Sequence, residues 1–271
     1  MDKVAVIMSV YKNDSPLDFK VAVDSVLSQT YNNIGIFIFI DGEVGEQISI
    51  LLEELRLNKL IHIFEHPVNE GLAFGLNYLI EQVLALRHYK YIARMDSDDI
   101  CYQDRIELQV NFMNANTEVD VSGTSCREFG ASFAIEEKHL PVDPTELFEF
   151  SVTRCPFIHP TVIFKTAIFE TGIRYPVDTE MTEDMALWFI LLDRGYKFSN
   201  LNKILLDYRL NEGTLLRRSG FKKMYSELKT RVRYMFKLDQ VTIRNCLLLT
   251  CRIFFHLLPV WLLKIIYKKY R

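Results

Sequence analysis

Three carboxylates fall within four residues where an apolar run ends: Asp96, Asp98 and Asp99 follow Tyr91-Ile92-Ala93-Arg94-Met95. Like charges so close repel one another, and folding alone gives no reason to gather them. A hard divalent cation does, because Mg²⁺ or Mn²⁺ takes oxygen ligands and bridges one or two carboxylates to phosphate oxygens. The competing use is helix capping by Asp98 or Asp99, which requires one acid, not three. A second acidic group, Thr182-Glu183-Asp184, precedes Met185-Ala186-Leu187-Trp188. Acids in a first helical turn complement the helix dipole. A lone carboxylate there is equally suited to accept a proton from a hydroxyl.

The elements that must position these groups are legible as alternating apolar runs. Strand patterns cover Val4–Val10, Ile34–Ile40, Leu60–Phe64, Tyr89–Met95 and Val119–Thr124. Helical spacing separates them at Phe19–Leu27, Ile48–Leu57, Leu72–Leu86 and Gln103–Asn114. Near-continuous apolar strands between helices predict an α/β, Rossmann-like, mostly parallel sheet with helices on both faces. The second part is less regular: a loop entering a helix over Pro141–Phe150, a short strand at His159–Phe164, a helix at Thr182–Arg194 with a capping-box-like start, and a strand at Ile204–Tyr208. From Ser219 onward the pattern is helical.

Ligands of open α/β sheets sit beyond the carboxyl ends of the strands. The first strand leads into Ser9-Val10-Tyr11-Lys12-Asn13-Asp14, the second ends in Asp41-Gly42, and the third leads to Asn69-Glu70-Gly71-Leu72. None carries G-x-G-x-x-G, which argues against a dinucleotide-dependent dehydrogenase. A nucleotidyltransferase would show a Gly-rich basic loop after the first strand, and SVYKNDSP is not one.

Composition sets the outer bounds. The 271 residues are 49% hydrophobic and 25% charged, which excludes disordered and collagen-like chains. Five cysteines without a C-x-x-C pair fit a reducing compartment and argue against a zinc ribbon. The apolar run at the N-terminus is too short for a signal peptide. The net charge of −3 hides an asymmetry: Arg217 to Arg271 carries 14 Lys/Arg against Glu227 and Asp239, a net +12, and the remainder carries −15. Within this basic tail, Leu247–Tyr267 is strongly apolar, but Arg252, His256 and Lys264 interrupt it and Pro259 breaks it. That is too much charge for a spanning helix. Two alternatives stand: a helix lying in a membrane interface, with Phe254, Phe255, Trp261 and Ile265 as its apolar face, or a helix pair packed on the body.

Taken in order, VAVIMSVYKND, SVLSQTYNNIGIFIFIDG, NEGLAFGLN, YIARMDSDDI with Arg105, HPTVIFK, TEDMALW and LLDYRL resemble the bacterial family 2 glycosyltransferases. The resemblance spans Val4 to Ser219 and is closest to the small, non-processive enzymes of O-antigen, capsule and exopolysaccharide synthesis. It implies the GT-A fold over residues 1–218, with a nucleotide-sugar half (1–125) and an acceptor half (126–218), followed by a membrane-associating helical tail (219–271). It implies that Val10, Tyr11 and Asp41 meet the base and ribose, with Asn69 and Gly71 beside them. Arg94, Asp96 and Ser97 then lie at the ribose and diphosphate, and Asp98, with Asp96, holds Mn²⁺ or Mg²⁺. Asp184 becomes the base, and Glu183, His159 and Trp188 line the acceptor side, although His159 equally suits a structural role.

One feature departs from the family pattern. Many relatives place a histidine near the metal after the Tyr-Arg pair, whereas Tyr208-Arg209-Leu210-Asn211-Glu212 has none. Arg217 and Arg218 follow and suit a diphosphate clamp. The Q-x-x-R-W motif of processive synthases is also missing. The implied reaction is inverting transfer of a hexose from UDP-glucose or UDP-galactose to a lipid-diphosphate-linked sugar (undecaprenyl type), giving a β-linkage, β-1,3 by analogy with the small D-x-D-D enzymes. The implied place is the cytoplasmic face of the bacterial inner membrane, against anionic lipid, with no nucleic-acid partner. A catalytically inactive sugar-nucleotide-binding or scaffold subunit is the alternative, and the intact Asp96, Asp98 and Asp184 speak against it.

Overall fold

The structure, a computed structural model, describes residues 1–179, 181–214 and 220–270. The chain opens with β1 (Val4–Tyr11), α1 (Pro16–Leu27), β2 (Ile34–Asp41), α2 (Glu46–Leu55), β3 (Ile61–His66), α3 (Leu72–Leu86) and β4 (Tyr91–Arg94). It continues through β5 (Ile100–Cys101), α4 (Arg105–Ala115), β6 (Val121–Phe129), α5 (Pro144–Ser151), β7 (Ile163–Lys165), α6 (Ala167–Glu170), α7 (Glu183–Asp193) and β8 (Phe198–Arg209). Eight strands form one sheet in the order β3-β2-β1-β4-β7-β6-β8-β5.

Burial on both faces explains the strand composition. β2, IGIFIFID, is buried at every position, as a parallel strand covered on both sides must be. Alternate residues feed two cores. Val4, Val6, Met8, Ile36 and Ile38 pack with α1, α2 and α4 in one. Ala5, Ile7, Phe37 and Phe39 pack with α3, α6 and α7 in the other. Ser15 caps α1 by accepting from the Asp18 N–H (3.3 Å), and Pro16 takes the first helical position, where its missing N–H costs nothing.

The parallel expectation holds across β3-β2-β1-β4 and for β6 with β8. It does not hold elsewhere: β7 runs antiparallel to both β4 and β6, and β5 is antiparallel to β8. The strand expected at His159–Phe164 also needs correction. His159–Thr161 is a 3₁₀ turn, and the strand begins at Ile163. Pro160 lacks a donor for a ladder, and the Thr161 hydroxyl donates back to the Ile158 carbonyl (2.7 Å), closing the turn. β8 starts six residues earlier than expected, at Phe198, while two short elements, β5 and α6, carry too few residues to show a period.

Three further helices complete the described chain: Phe221–Lys237, Ile243–Leu257 and Val260–Tyr270. Pro259 separates the last two. No described helix is long and apolar enough to cross a membrane. One face of the tail packs on the body. Tyr234 and Met235 are buried against Phe189 and Val152, and Leu263 and Tyr267 join Phe133 and Leu210. The opposite face exposes Phe221, Tyr225, Phe236, Ile243, Leu247, Phe254, Trp261 and Ile265, each more than half accessible.

Candidate active site

β1 and β2 end in register, with Tyr11 opposite Asp41, whereas β4 ends opposite Ile7. The chain leaving β4 therefore runs alongside the last turn of β1, and Met95 N–H still donates to the Ile7 carbonyl (3.1 Å). This puts the acidic loop beside the loop after β1. The Ser97 hydroxyl donates to Asp14 Oδ2 (2.8 Å), which also accepts from the Tyr11 N–H (3.1 Å). Val10 is buried in the core beneath this loop, and Tyr11 is half-buried at the strand end.

Asp41 is buried and fully engaged. Its carboxylate accepts from the Asn69 amide (2.9 Å), Glu70 N–H (2.7 Å) and Gly71 N–H (2.9 Å). It thereby fastens the end of β2 to the start of α3 and supplies an anion to that helix N-terminus. Gly42 sits at φ +82°, and a Cβ there would lie 2.9 Å from the Asn69 backbone nitrogen. The turn that brings Asp41 to Asn69 requires the glycine.

At the centre, Asp96, Asp98 and Asp99 offer carboxylate oxygens within 4.8 Å of one another. Burial, with the charges of Asp96 and Asp14, pushes the Asp98 carboxyl up to about 7. Asp99 is raised well above the usual carboxylate range by complete burial and by Asp96 and Asp98. Its Oδ2 has no hydrogen-bond partner among the described residues. Oxygen donors, mutual repulsion and an unsatisfied carboxylate oxygen fit a hard divalent cation.

Three arginines surround the acids. Arg94, 2% exposed, pairs with Asp96, while its Nε and Nη1 have no partner among the described residues. Burial opposes its charge, yet Asp96, Tyr175 and Asp99 hold it firmly protonated. Arg105 braces the end of β4 from beneath, donating from Nη2 to the Arg94 carbonyl (2.9 Å) and from Nε to Gln109 (3.0 Å). Arg209, at the end of β8, pins the loop directly. Its backbone N–H donates to Asp99 Oδ1 (2.7 Å), Nε donates to the Asp98 carbonyl (2.7 Å), and Nη2 pairs with Asp18 (3.1 Å). The guanidinium lies 4.6 Å over the Phe129 ring.

The second acidic pair opens α7 on the other side of Arg94. Glu183 is raised by burial and by Asp184, and Arg94 and Lys223 oppose that rise. Tyr175 senses both centres: burial raises its hydroxyl most, Arg94 opposes, and Asp184, Glu183 and Asp96 add to the rise. Its hydroxyl shares a hydrogen bond with His159 Nε2 (3.0 Å), and Asn77 of α3 holds its backbone in both directions (2.8 Å each). Burial and the Arg94 charge hold His159 well below its usual range, so it is neutral. Asp184 Oδ1 accepts from the Met185 N–H (2.7 Å). The capping box expected here is not formed: Thr182 makes no side-chain cap, and its hydroxyl is buried without a partner among the described residues.

Structure thus gathers Tyr11, Asp41, Asn69, Gly71, Arg94, Asp96, Ser97 and Asp98 at the carboxyl ends of β1 to β4, with Glu183 and His159 near enough to Arg94 to feel its charge and Asp184 beside Glu183. Trp188 is different. It is 1% exposed and stacks on Phe164 (5.6 Å, 18°) with Phe157 and Phe198 at its edges, inside the second core. These rings, from outside α7, bury it, so it does not line an acceptor surface. Arg217 and Arg218 lie outside the described residues. Asp14, Tyr175, Asn77 and Arg209 belong to the site and were missed as site residues. Arg209 had a sequence signal in the Tyr-Arg pair ending an apolar strand, and Asp14 had one in its place in the loop after the first strand.

The profile of the family described as Glycosyl transferase family 2 matches residues 5–173. A UDP-Gal:alpha-D-GlcNAc-diphosphoundecaprenol beta-1,3-galactosyltransferase of Escherichia coli is 30% identical over 272 residues, covering 98% of this chain and 96% of that protein. The amylovoran biosynthesis glycosyltransferase AmsE of Erwinia amylovora is 28% identical, covering 98% of each. Among solved structures, S. aureus TarS 1-349 in complex with UDP-GlcNAc superposes with a TM-score of 0.68 at 16% identity, over 91% of this chain and 70% of that one. The mannosyltransferase PcManGT from Pyrobaculum calidifontis, in complex with GDP-Man and Mn2+, gives 0.60 at 15% identity, over 98% and 84%. Both solved structures share the fold.

Proposed function

Because the chain belongs to glycosyl transferase family 2, and is therefore a glycosyltransferase, we propose that it transfers a hexose from a UDP-sugar to a lipid-diphosphate-linked sugar in bacterial surface-polysaccharide synthesis. The observation that carries this proposal is the crowded Asp96-Asp98-Asp99 centre beside Arg94, with Glu183 and Asp184 across from it. Asp98 and Asp96 would hold Mn²⁺ or Mg²⁺, and the bound cation would neutralise charge on a departing diphosphate. Arg94 presents buried N–H groups next to that charge, and Tyr11, Asp41, Asn69, Gly71 and Ser97 form the wall for the nucleoside. Arg217 and Arg218 belong to the same proposal as a diphosphate clamp.

Asp184 takes the proton of the acceptor hydroxyl as that oxygen attacks the anomeric carbon from the face opposite the leaving diphosphate. The configuration inverts, and an α-linked donor gives a β-linked product. Glu183 and His159 flank the acceptor. The E. coli relative named as a β-1,3-galactosyltransferase on GlcNAc-diphosphoundecaprenol supports UDP-galactose, with UDP-glucose the other candidate, and a β-1,3 linkage. An acceptor of that kind lies in a bilayer, so the enzyme works peripherally at the cytoplasmic face of the inner membrane. The exposed aromatic and aliphatic face of the tail, on a segment of net +12, supports contact with anionic lipid.

The decisive experiment is a donor screen against a synthetic GlcNAc-diphospho-lipid with Mn²⁺, read by mass spectrometry. A hexose added from UDP-galactose or UDP-glucose is expected, and no transfer from any UDP-sugar overturns the proposal. Flotation with anionic liposomes tests the location: protein remaining at the bottom in low salt removes the membrane part.

A further inference from the structure

The tail reads outward as a basic, apolar surface, but its inner face rests on the helix that carries the second acidic pair. Tyr234, on the Phe221–Lys237 helix, stacks flat on Phe189 of α7 (4.9 Å, 5°). Met185, the residue after Asp184, is buried in the same cluster, and Cys155 packs against it. At the far end of α7, Lys237 pairs with Asp193 (2.9 Å). Tail helix and α7 are thus joined near both ends of α7.

The same tail helix also holds the segment after α5, whose Cys155 packs against the Met185, Phe189 and Tyr234 cluster. Arg231 is fully buried, donates from Nε to Glu227 (2.9 Å), and from Nη1 to the Ser151 and Val152 carbonyls where α5 ends (3.2 and 2.9 Å). These are orphan carbonyls of a helix C-terminus, and a buried guanidinium satisfies them strongly. Arg252, from the next helix, donates to Glu227 and to the Thr153 carbonyl (3.3 Å). Two residues further on, the half-buried Cys155 thiol is raised by desolvation first and then by the Asp184 charge. Met185, next to the candidate base, therefore packs between α7's own neighbours and the segment after α5, and one tail helix fastens both.

We infer that Tyr234 is a positioning residue for Asp184, with the Arg231–Glu227–Arg252 network as its support; this rests on the assignment of Asp184 as the base. Tyr234 touches neither the acidic loop nor the nucleotide wall. It acts through Phe189 and Met185, setting how α7 presents its first turn. Displacement of a catalytic group by ~1 Å costs about 10²-fold in rate, so loss of the stack lowers turnover without weakening donor binding.

The test uses the full chain and a short-chain, water-soluble GlcNAc-diphospho-lipid, so that membrane binding plays no part. Tyr234→Ala, Tyr234→Leu and Tyr234→Phe are compared by kcat, by donor KM and by calorimetric UDP binding with Mn²⁺. Expected are kcat values lowered about tenfold or more for Ala and Leu, with KM and UDP affinity within about twofold, and rescue by Phe, which keeps the flat stack. Tyr234→Leu preserves most of the buried volume and covers the case in which the alanine variant fails to fold. Val232→Thr, more than a third exposed on the same helix and outside the face assigned to lipid, should keep the wild-type kcat. Unchanged kcat in Tyr234→Ala and Tyr234→Leu, or an equal loss of UDP affinity, overturns the inference. Asp184→Asn in the same assay separates the premises: normal turnover there removes the base assignment itself. An inactive Asp184→Asn beside unaffected Tyr234 variants removes only the positioning role.

Discussion

The two acidic centres differ in what holds them and therefore in what each can do. Asp96, Asp98 and Asp99 share one loop at a strand end, crowd within 4.8 Å, and are pinned by Arg209 through a backbone amide and a carbonyl. Those contacts position the loop and leave the crowded negative charge to be neutralised by something else. Glu183 and Asp184 open a helix, where the dipole favours acids, and the tail backs that helix from behind. A cluster with surplus charge suits a cation. A carboxylate on a braced helix end suits a single proton transfer.

The sharpest break between the centres is expected from Asp98→Ala. It should abolish transfer and metal-dependent UDP binding while the fold persists, because removing one of three repelling acids relieves strain in the metal-free protein. Near-normal activity after EDTA treatment and metal restoration would make the acids structural and erase the distinction. Asp184→Asn comes next: turnover lowered by about 10²–10⁴, the usual contribution of a general base, with Mn²⁺ and UDP affinity retained by calorimetry. Loss of UDP affinity at unchanged turnover would put Asp184 with the binding centre instead.

Smaller effects sharpen the comparison. Arg209→Ala should weaken Mn²⁺ binding about tenfold, the order seen when groups orienting metal ligands are removed, and leave the binding of metal-free UDP unchanged; an unaltered Mn²⁺ titration would disconnect β8 from the acidic loop. The smallest expected effect is on stability. The Asp98 carboxyl at about 7 in the folded chain lies above its value of ~3.9 in an unfolded one. Between those values the native state binds more protons, so metal-free stability falls as pH rises from about 4 to 7. Thermal midpoints in EDTA should drop by a few degrees across that window, and Mn²⁺ should offset the drop. A flat profile in EDTA contradicts the crowding of the acids.

Periodicity made the first half of the fold legible. Strands such as IGIFIFID write burial on both faces in consecutive side chains, and helices such as Leu72–Leu86 write one buried stripe at helical spacing. The second half was harder for a physical reason. β5, β7 and α6 are each four residues or fewer, too short for a period to repeat, and the two strands pair with partners distant in the chain. The site divides similarly. Asp96, Asp98 and Asp184 stand out by type and spacing. Tyr175 enters only because Asn77, 98 residues away, holds its backbone beside His159. Trp188 shows the opposite error: an aromatic next to acids reads as a binding group until the packing of Phe157, Phe164 and Phe198 buries it.

By itself the sequence determined the order of strands and helices, the positions of the acidic groups at strand and helix ends, and the division into an acidic body and a basic tail. Those properties depend on neighbours along the chain. Antiparallel insertion of β7 between β4 and β6, the approach of Arg209 to the acidic loop and the meeting of both acidic centres around Arg94 were decided by the tertiary structure. So was the packing of the tail on the body: Tyr234, Leu263 and Tyr267 face inward, and Phe236, Trp261 and Ile265 turn outward. A helix sequence gives the spacing of its apolar residues, but which stripe meets the body depends on the shape and partners already there, and those come from residues far away along the chain.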